Sequence, residues 1–444
     1  MSFSKNKKHQ YLFFLILIIF VIFNGGNYNL IIQINFVLIS LFFLYCFKDK
    51  NYQSHLNIFF IKNNFSIFFY LLFIIYLLFQ IIPLPLNILK FFSPEKFLFI
   101  EILSNETTNS PISFAPTESF FQVLNLISLF VIVLITKMII YSEKHKIRFY
   151  LFLSFLGFLS SLFAILLFLN GNPDFLFLKK EYYKNTSTGF FINRTVFAVF
   201  LLFCFLSSME LLSNHQNYFS KKRKDNFFLN IYIRFFVIFI TVGIITSFSR
   251  IGNFLLFVTV LFYLTNSIFF NNHKNTSLRN IIFLIIFFDI GILGYYFGTS
   301  ELLERFYFLK EDFSSDTVSL NNISRIQIIQ FSFELLDKFL IFGYGPGSYE
   351  IVYQLKKGYT EFYANHAHSD LIEFVGEFGL VGTILFILSF IKFFLVNKNY
   401  NFVNSILITY LIIILLFDFS LHIPLIQILF VVFFIINIKF YGSS

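Results

Sequence analysis

Long hydrophobic runs, separated by short polar segments, dominate this chain. About twelve of them approach the roughly 20 apolar residues that an α-helix needs to cross a bilayer. They cover residues 11–23, 30–47, 65–82, 120–140, 147–169, 191–212, 227–246, 251–270, 281–297, 380–396, 402–417 and 421–438. Because helices satisfy their own backbone hydrogen bonds in lipid, the pattern predicts an all-α fold, a polytopic membrane helix bundle of about 12 transmembrane helices.

The composition agrees with a membrane protein and excludes an ordinary soluble one. Hydrophobic residues make up 57% of the 444 and charged residues only 13%, whereas about a quarter of a soluble domain is charged. The two cysteines, Cys46 and Cys204, lie inside hydrophobic runs, where a thiol packs as a small apolar group. We therefore expect no disulfide framework and no cysteine metal cluster.

Basic residues collect in alternate connecting segments of the chain. If the N-terminus is cytoplasmic, the inner segments and adjoining span ends hold about 20 basic and about 4 acidic residues, the excess that cytoplasmic loops carry. The pattern predicts cytoplasmic termini, and the basic run at residues 221–224 then anchors two spans rather than binding nucleic acid. No small-residue cleavage site follows residues 11–23, so this run is expected to be a retained span rather than a signal peptide.

The predicted orientation divides the chain into three units. Residues 1–297 hold nine spans with short loops, residues 298–379 form a large outer loop, and residues 380–444 hold three more spans. The large loop contains the one polar, glycine-punctuated passage with histidines, at residues 342–382. A functional site is expected in this passage.

Two helices are predicted around this passage. Apolar residues at helical spacing indicate a helix over residues 323–342 that lies on the membrane or on the bundle. Its predicted apolar face consists of Ile326, Ile329, Phe333, Leu336 and Leu340. A second helix is expected to begin near Asp370 and to end at Gly379. Its predicted apolar face consists of Leu371, Phe374, Val375 and Phe378.

His368 comes just before the predicted start of that second helix. The N–H groups and partial positive charge of a helix N-terminus favour anions and lower the pKa of an imidazole, so a neutral His368 there can accept a proton. An equal alternative is that His366 and His368 only hydrogen-bond loop carbonyls. Glu373 and Glu377, one helical turn apart, would orient His368 or an acceptor, or else form a solvated face.

A metal site is a weaker interpretation of the same residues. His366 and His368 alternate along an extended chain, and Asp370 or Glu373 would add a ligand. Without a further His or Cys nearby they make a poor zinc site, so we expect no metal and no cofactor. The glycine-rich segment around Tyr344 lacks the Lys-Ser/Thr and the strand–turn–helix frame of a nucleotide loop, which predicts a tight turn.

Three arginines stand at the predicted outer surface. Arg194 and Arg250 open two hydrophobic runs, and Arg325 begins the first loop helix. An ionisable residue at membrane depth is expected to be functional, because a partner must offset its desolvation. The guanidinium fork suits a diphosphate, and the alternative is that these side chains reach lipid phosphates. We expect the three arginines to converge on one outward-facing pocket.

Several short motifs follow one another in order along most of the chain. They are Gln80-Ile81-Ile82-Pro83-Leu84-Pro85 with Ser93-Pro94, residues 188–194, Ser249-Arg250 with Gly252, Gly343-Tyr344-Gly345 with His368-Ser369-Asp370-Leu371 and residues 377–382, and Asp418-Phe419-Ser420-Leu421 with Pro424. Each motif is weak alone, but their order and spacing resemble the O-antigen ligase and O-antigen polymerase-like family of bacterial membrane glycan transferases. Two positions depart from that family: Ser369 stands where Asn is common, and Asn253 displaces the expected aromatic to Phe254.

This resemblance implies a GT-C-like, metal-independent, inverting glycosyltransferase whose donor is a polyprenyl-diphosphate-linked glycan. It implies that Arg250 and Arg325 bind the donor diphosphate and that His368 is the catalytic histidine, and Arg194 joins the arginines by its position at the surface. His366, Asp370, Glu373, Glu377 and Tyr344 are expected to support these residues or to contact the acceptor. The implied location is the bacterial inner membrane, with the active site facing the periplasm.

The resemblance leaves the acceptor open. One dominant outer loop favours a ligase that transfers the glycan to lipid A core or a related acceptor. A polysaccharide polymerase and a protein O-oligosaccharyltransferase are alternatives within the family. A lipid-linked glycan transporter or flippase is the alternative from another class, and it predicts polar residues in broken helices near the middle of the membrane. The partners expected besides the glycans are membrane lipids, and no nucleic acid is expected.

Overall fold

The chain forms a bundle of long helices in a computed structural model that describes residues 2–102, 108–174, 180, 183–213, 224–270, 325–357, 364–396 and 401–437. The helices are α1 (Ser2–Ile22), α2 (Asn29–Phe47), α3 (Lys50–Lys62), α4 (Asn64–Ile81), α5 (Leu86–Phe92), α6 (Pro94–Ile102), α7 (Pro116–Ile139), α8 (Glu143–Leu169), α9 (Arg194–Ser213), α10 (Lys224–Thr246), α11 (Arg250–Thr265), α12 (Arg325–Phe339), α13 (Tyr349–Lys357), α14 (Asp370–Val396), α15 (Phe402–Phe417) and α16 (Pro424–Asn437). Short 3₁₀ turns occur at Asn24–Gly26 and Ser420–His422, and a π turn occurs at Asn266–Phe270. The two strands, β1 (Leu84–Pro85) and β2 (Asn109–Ser110), form one short antiparallel ladder.

Eight helices of the described residues are long and apolar enough to cross a membrane. They are α2, α4, α7, α8, α9, α10, α11 and α14. Two shorter apolar helices, α15 and α16, follow the last two hydrophobic runs. The run at residues 281–297 lies outside the described residues. The predicted class, an all-α polytopic membrane protein, is confirmed.

Helix α9 forms the centre of the bundle. It is buried from Val196 to Leu212 and packs against α8, α10, α11 and α16, as expected for a helix that is apolar on all sides. Small residues allow close approach of its neighbours, since Gly157 faces Cys204 and Gly243 faces Ser161. Cys204 and Cys46 are buried free thiols, which agrees with the packing role predicted for them.

The loops predicted to share the outer face meet at one end of the bundle, called here the site end. Asn24 accepts a hydrogen bond from the Ile192 amide, 2.9 Å, and the neighbouring Gly25 lies against Phe191 and Ile423. The loop after α4 joins the same end, because the Phe114 amide donates to the Tyr344 carbonyl, 3.1 Å. The other end holds the N-terminal half of α1, helix α3 and the α7–α8 turn.

Two loop helices are present near the predicted positions. Helix α12 buries Ile328, Phe331, Leu335 and Phe339, whereas Phe333 and Leu340 of the predicted stripe are 55% and 40% exposed. The helix thus carries two apolar faces, of which one packs against the protein, and the placement of the other on the membrane stays a prediction. Helix α14 is broken at Gly379, whose φ of 66° is outside the helical range, so the predicted end at Gly379 becomes a kink.

Candidate functional site

The first segment of α14 turns its carboxylates inward. Asp370, Glu373 and Glu377 are 3%, 1% and 3% exposed, whereas Leu371 on the opposite face is 41% exposed. The sequence left a solvated carboxylate face open as an interpretation, and the structure excludes it. A buried carboxylate is costly unless it is paired and hydrogen-bonded, so each of these three side chains needs partners inside the protein.

His422 supplies a partner for two of them. This histidine ends the 3₁₀ turn between α15 and α16. Its Nδ1 contacts the Asp370 carboxylate, and its Nε2 lies 3.2 Å from Glu373 Oε1. The turn is also fixed by its backbone, because the Leu421 amide donates to Asp370 Oδ2 at 2.9 Å. The closing motif of the sequence is thereby joined to the histidine-bearing loop.

His366 is the second histidine on Glu373. Its Nδ1 lies 3.0 Å from Glu373 Oε1, and the other oxygen, Oε2, accepts the Ala367 amide at 2.8 Å. The His366 ring stacks on Phe419 with a centroid distance of 4.7 Å and lies 4.8 Å from the His422 ring. Glu373 therefore fixes both the ring of His366 and the backbone that follows it.

His368 is positioned beside this cluster by an unusual backbone. Its φ of 55° is positive, which is uncommon for a residue other than glycine. The ring is partly buried and meets the edge of Phe419 with a centroid distance of 5.5 Å. As predicted, His368 comes two residues before the start of α14. The role predicted for it in catalysis stays a prediction.

The charge state of the cluster follows from its contacts. Burial lowers the pKa of His422, but the carboxylates of Glu373 and Asp370 outweigh this and raise it well above the ordinary histidine value. The two carboxylates thus favour the imidazolium form of His422. For a carboxyl group burial acts in the other direction, and it raises the pKa of Asp418 to about 6, although the hydrogen bond from the Ser420 hydroxyl opposes that shift. The Asp418 carbonyl accepts the Asp370 amide at 2.9 Å, which ties this residue to the cluster.

Glu377 and Tyr344 belong to the glycine-rich turn next to the cluster. The Tyr349 amide approaches Glu377 Oε1 at 3.4 Å, and the Gly345 amide donates to the Glu377 carbonyl at 3.0 Å. Burial and the nearby carboxylates of Glu377 and Glu373 raise the pKa of Tyr344 well above its usual range, so its phenol stays neutral. The tight turn predicted here is present, and these two residues support it.

Close backbone approach explains the glycines of this motif. Gly343 and Gly379 both have positive φ, 71° and 66°, and a Cβ on either would overlap the backbone of the other segment. The end of α4 also stabilises the place where these two segments approach each other, because Gln80 Nε2 donates to the Phe342 carbonyl at 2.6 Å. The Tyr76 hydroxyl donates to that carbonyl at 2.7 Å. The first outer motif thereby supports the histidine loop.

The arginines lie at the site end, each at a helix start. Arg250 is exposed at the first turn of α11, where Ser249 accepts the Gly252 amide at 3.1 Å as N-cap. Arg194 begins α9 and its guanidinium lies over the Tyr183 ring, 5.3 Å from the centroid. Arg325 begins α12, and its side chain is outside the described residues. Their convergence with His368 on one pocket stays a prediction.

The donor set of the cluster fits an ion-paired proton network better than a metal centre. His366, Glu373 and His422 each bring one ligand atom within 4.8 Å of the others, a spacing that a metal ion would accept. Metal ligation needs a neutral imidazole with a free nitrogen. Both ring nitrogens of His422 face carboxylates, so this histidine serves as the counter-ion of Asp370 and Glu373. Such a network can hold charge and orient a proton-accepting imidazole.

Sequence reasoning missed His422. The closing motif contains residues 418–421 and Pro424, but the sequence analysis gives no role to the histidine between them. One signal was available, since His422 is the second residue of the last predicted span, at its predicted outer end. Glu373 was assigned to His368 or an acceptor, whereas the structure pairs it with His366 and His422.

One comparison with known proteins bears on this site. A family model described as O-antigen ligase matches residues 235–387, the stretch from α10 to α14 that carries Arg250, His366, His368 and the buried carboxylates. A search of curated proteins finds no match. The family's members are glycan-processing membrane enzymes of the ligase and polymerase type. The match agrees with the order of motifs along the chain, and residues 235–387 are similar to an O-antigen ligase domain.

Proposed function

We propose that this protein is a glycosyltransferase that moves a glycan from a polyprenyl-diphosphate carrier to an acceptor hydroxyl at the outer face of the bacterial inner membrane. The proposed acceptor is lipid A core or a related glycan, which makes the protein a ligase. The observation that carries the proposal is the cluster in which partly buried His366 and His422 contact the buried carboxylates of Asp370 and Glu373. It lies within and beside the stretch that matches the O-antigen ligase family.

The proposed reaction needs a base more than an acid. A lipid-linked diphosphate is a good leaving group, so breaking the donor bond calls for charge stabilisation rather than protonation. The attacking acceptor hydroxyl must lose a proton, and we assign its removal to His368. Its partly exposed ring beside Phe419 supports this role. A single displacement on the sugar carbon inverts its configuration.

The diphosphate is assigned to the arginines. Arg250 and Arg194 both stand at helix starts of the site end, where the partial positive charge of the helix adds to that of the guanidinium. Arg325 is assigned with them from its position at the start of α12. Planar guanidinium groups make paired hydrogen bonds to phosphate oxygens and stay charged at all relevant pH values. No metal ion is required by this scheme.

The proposed topology follows from the positive charges in alternate loops. Both termini are assigned to the cytoplasm, so the site end faces the periplasm. The proposed units are residues 1–297, the periplasmic loop 298–379 with the catalytic histidine, and residues 380–444. This division supports a lipid carrier approaching from the membrane and an acceptor approaching from the periplasm.

The test is glycan transfer by purified protein in detergent with excess chelator. A polyprenyl-diphosphate glycan is the donor, and lipid A core, a second lipid-linked glycan and an acceptor polypeptide are offered separately. We expect chelator-resistant product on lipid A core with wild type and none with His368→Ala. Product only on the second lipid-linked glycan would indicate a polymerase, and product only on the polypeptide an oligosaccharyltransferase. No product from wild type, with carrier movement in vesicles that His368→Ala retains, would replace transfer by transport.

A further inference from the structure

His422 joins two segments that are distant in sequence. It belongs to the turn between α15 and α16, and its two ring nitrogens reach carboxylates on the first two turns of α14. Ionised Asp370 and Glu373 can only accept hydrogen bonds, so a ring that serves both carboxylates carries a proton on each nitrogen. The contacts place the ring of His422 between two carboxylates, which favour its positively charged form.

Among the described side chains that these contacts connect, no other group carries a permanent positive charge. Asp370 and Glu373 bring two negative charges into a buried site, and like charges in such a site disfavour each other. His366 shares Glu373 Oε1 with His422, but His366 meets one carboxylate and its side chain is 30% exposed, whereas His422 meets two and its side chain is 19% exposed. His422 is therefore the fixed charge that allows both carboxylates to stay ionised.

Glu373 transmits this effect to the histidine loop. Its ionised Oε1 holds His366 Nδ1, and its Oε2 holds the Ala367 amide at 2.8 Å. The next residue is His368, with its positive φ. Without the charge on His422, Glu373 and Asp370 would repel each other or take up a proton, and Glu373 would lose an acceptor position that residues 366 and 367 use.

We propose that His422 is a positioning residue: a permanent imidazolium that balances Asp370 and Glu373 and so holds residues 366–368 in the geometry for transfer. The proposal rests on the proposed function for its effect on transfer. It concerns a residue outside the stretch that matches the O-antigen ligase family. It also gives a role to the turn between α15 and α16, which places His422 against α14.

The test asks whether His422 acts through its positive charge, by changing first the histidine and then one of the two carboxylates. His422→Gln keeps a polar side chain but removes the positive charge, which leaves two carboxylates without their cation. Adding Asp370→Asn removes one of the two negative charges while keeping an oxygen that can accept the Leu421 amide. If His422 acts through its charge, the double variant is more active than His422→Gln alone; if His422 acts through shape alone, the second substitution adds further damage.

We expect His422→Gln to lower kcat for glycan transfer by about 100-fold with a change in donor KM of less than about threefold, as for a group that orients rather than binds. The double variant should recover at least about tenfold of that loss. His9→Gln is the matched control, because His9 is also buried and hydrogen-bonded but lies at the other end of the bundle. A double variant no better than His422→Gln would overturn the proposal.

A second readout separates this proposal from the proposed function. Diethyl pyrocarbonate acylates unprotonated imidazoles, and peptide mass spectrometry resolves the acylated residue. We expect the acylation rate of His366 to change at least about threefold in His422→Gln and to return toward the wild-type rate in the double variant. If wild type transfers no glycan but this pattern holds, the proposed function fails and the positioning role stands. If the rate at His366 is the same in all three proteins, the positioning role fails.

Discussion

The two ends of the bundle both contain histidines, but they give them different partners. At the site end His366 and His422 share the carboxylate of Glu373. At the other end His9 Nδ1 lies 3.1 Å from the Tyr52 hydroxyl, and the ring of His145 meets the edge of Tyr141 at 4.7 Å. A carboxylate fixes a proton on an imidazole, whereas a hydroxyl bonds to it without demanding charge.

This difference shows that the site end is where the described ion pairs of histidines and buried carboxylates occur. A buried ion pair is weak evidence for stability, because desolvation of both partners offsets most of the attraction. A cluster of two histidines and two carboxylates is therefore better explained by chemistry than by folding. The histidines of the other end serve packing, and substitutions at the two ends should affect different properties.

The largest effect is expected for Glu373→Gln. The amide keeps the shape of the side chain but removes the charge that His366 and His422 share, and its nitrogen cannot accept a hydrogen bond. Glycan transfer should fall about 100- to 1,000-fold, the range seen when an electrostatic group at a reacting centre is lost. Initial rates at saturating donor check it.

Glu118→Gln is the control for this substitution. Glu118 also lies at the site end, and its carboxylate accepts the Asn29 amide at 2.9 Å rather than facing a histidine. Its conversion to Gln should leave transfer within about twofold of wild type, because surface polar substitutions away from the chemistry are usually mild. Equal losses in both variants would mean that the site end is sensitive to any missing carboxylate, and the special role of Glu373 would be lost.

Arg250→Lys should have a smaller effect than Glu373→Gln. It keeps the positive charge at the start of α11 but replaces a planar fork by a point ammonium. We expect most of the activity to be lost, roughly tenfold or more, because paired bonds to a diphosphate cannot form. The matched control is Arg148→Lys, since Arg148 donates to Gln10 at the other end of the bundle. Full activity of Arg250→Lys would exclude the diphosphate role.

A smaller effect is expected for stability as a function of pH. The pKa of His422 is raised in the folded protein, so its contribution is complete below the ordinary histidine pKa of about 6.5 and is lost as pH rises through the folded value. The difference in free energy of unfolding between wild type and His422→Gln should therefore shrink above about pH 6.5, by at most about 1.4 kcal/mol per pH unit.

Thermal unfolding in detergent at several pH values measures this difference. Comparison with His422→Gln cancels the titration of groups that both proteins share, such as Lys96, whose pKa burial lowers to about 8. A difference that stays constant from pH 6 to pH 10 would show that His422 carries no extra proton in the folded state.

The smallest effect on transfer is expected for His9→Gln. His9 bonds the Tyr52 hydroxyl and packs against the Tyr45 ring, so the substitution should cost stability of about 1 kcal/mol while leaving transfer unchanged. Melting temperature and transfer rate, measured on one preparation, check the separation. Loss of transfer without loss of stability would show that the other end takes part in the reaction.

Some features of this protein could be predicted from residue pattern alone. The length of the hydrophobic runs predicts α2, α4, α7 and α8 as membrane spans, because a run of 18 or more apolar residues is typical of a helix that crosses a bilayer. The tight turn before α13 follows from glycine and proline chemistry. The start of α14 and the interruption at Gly379 also follow from local signals.

The faces of the loop helices could not be predicted from the same pattern. A stripe of apolar residues packs against lipid as readily as against protein, so the pattern leaves open whether Phe333 of α12 meets the membrane or the bundle, and in the structure it is exposed. On α14 the usual rule is reversed, because Glu373 points inward and Leu371 outward. An inward carboxylate is stable only when cations meet it, and those cations come from other segments.

The sequence by itself determined that this is an all-α membrane protein with a polar, histidine-bearing passage near its C-terminal spans, because span length and residue pattern are local properties of the chain. Only the tertiary structure decided that His422 meets Asp370 and Glu373 across a sequence separation of about fifty residues. Pairing of charges depends on distances of a few ångströms between segments. Such distances are set by how the helices pack, and no spacing within one segment of the sequence specifies them.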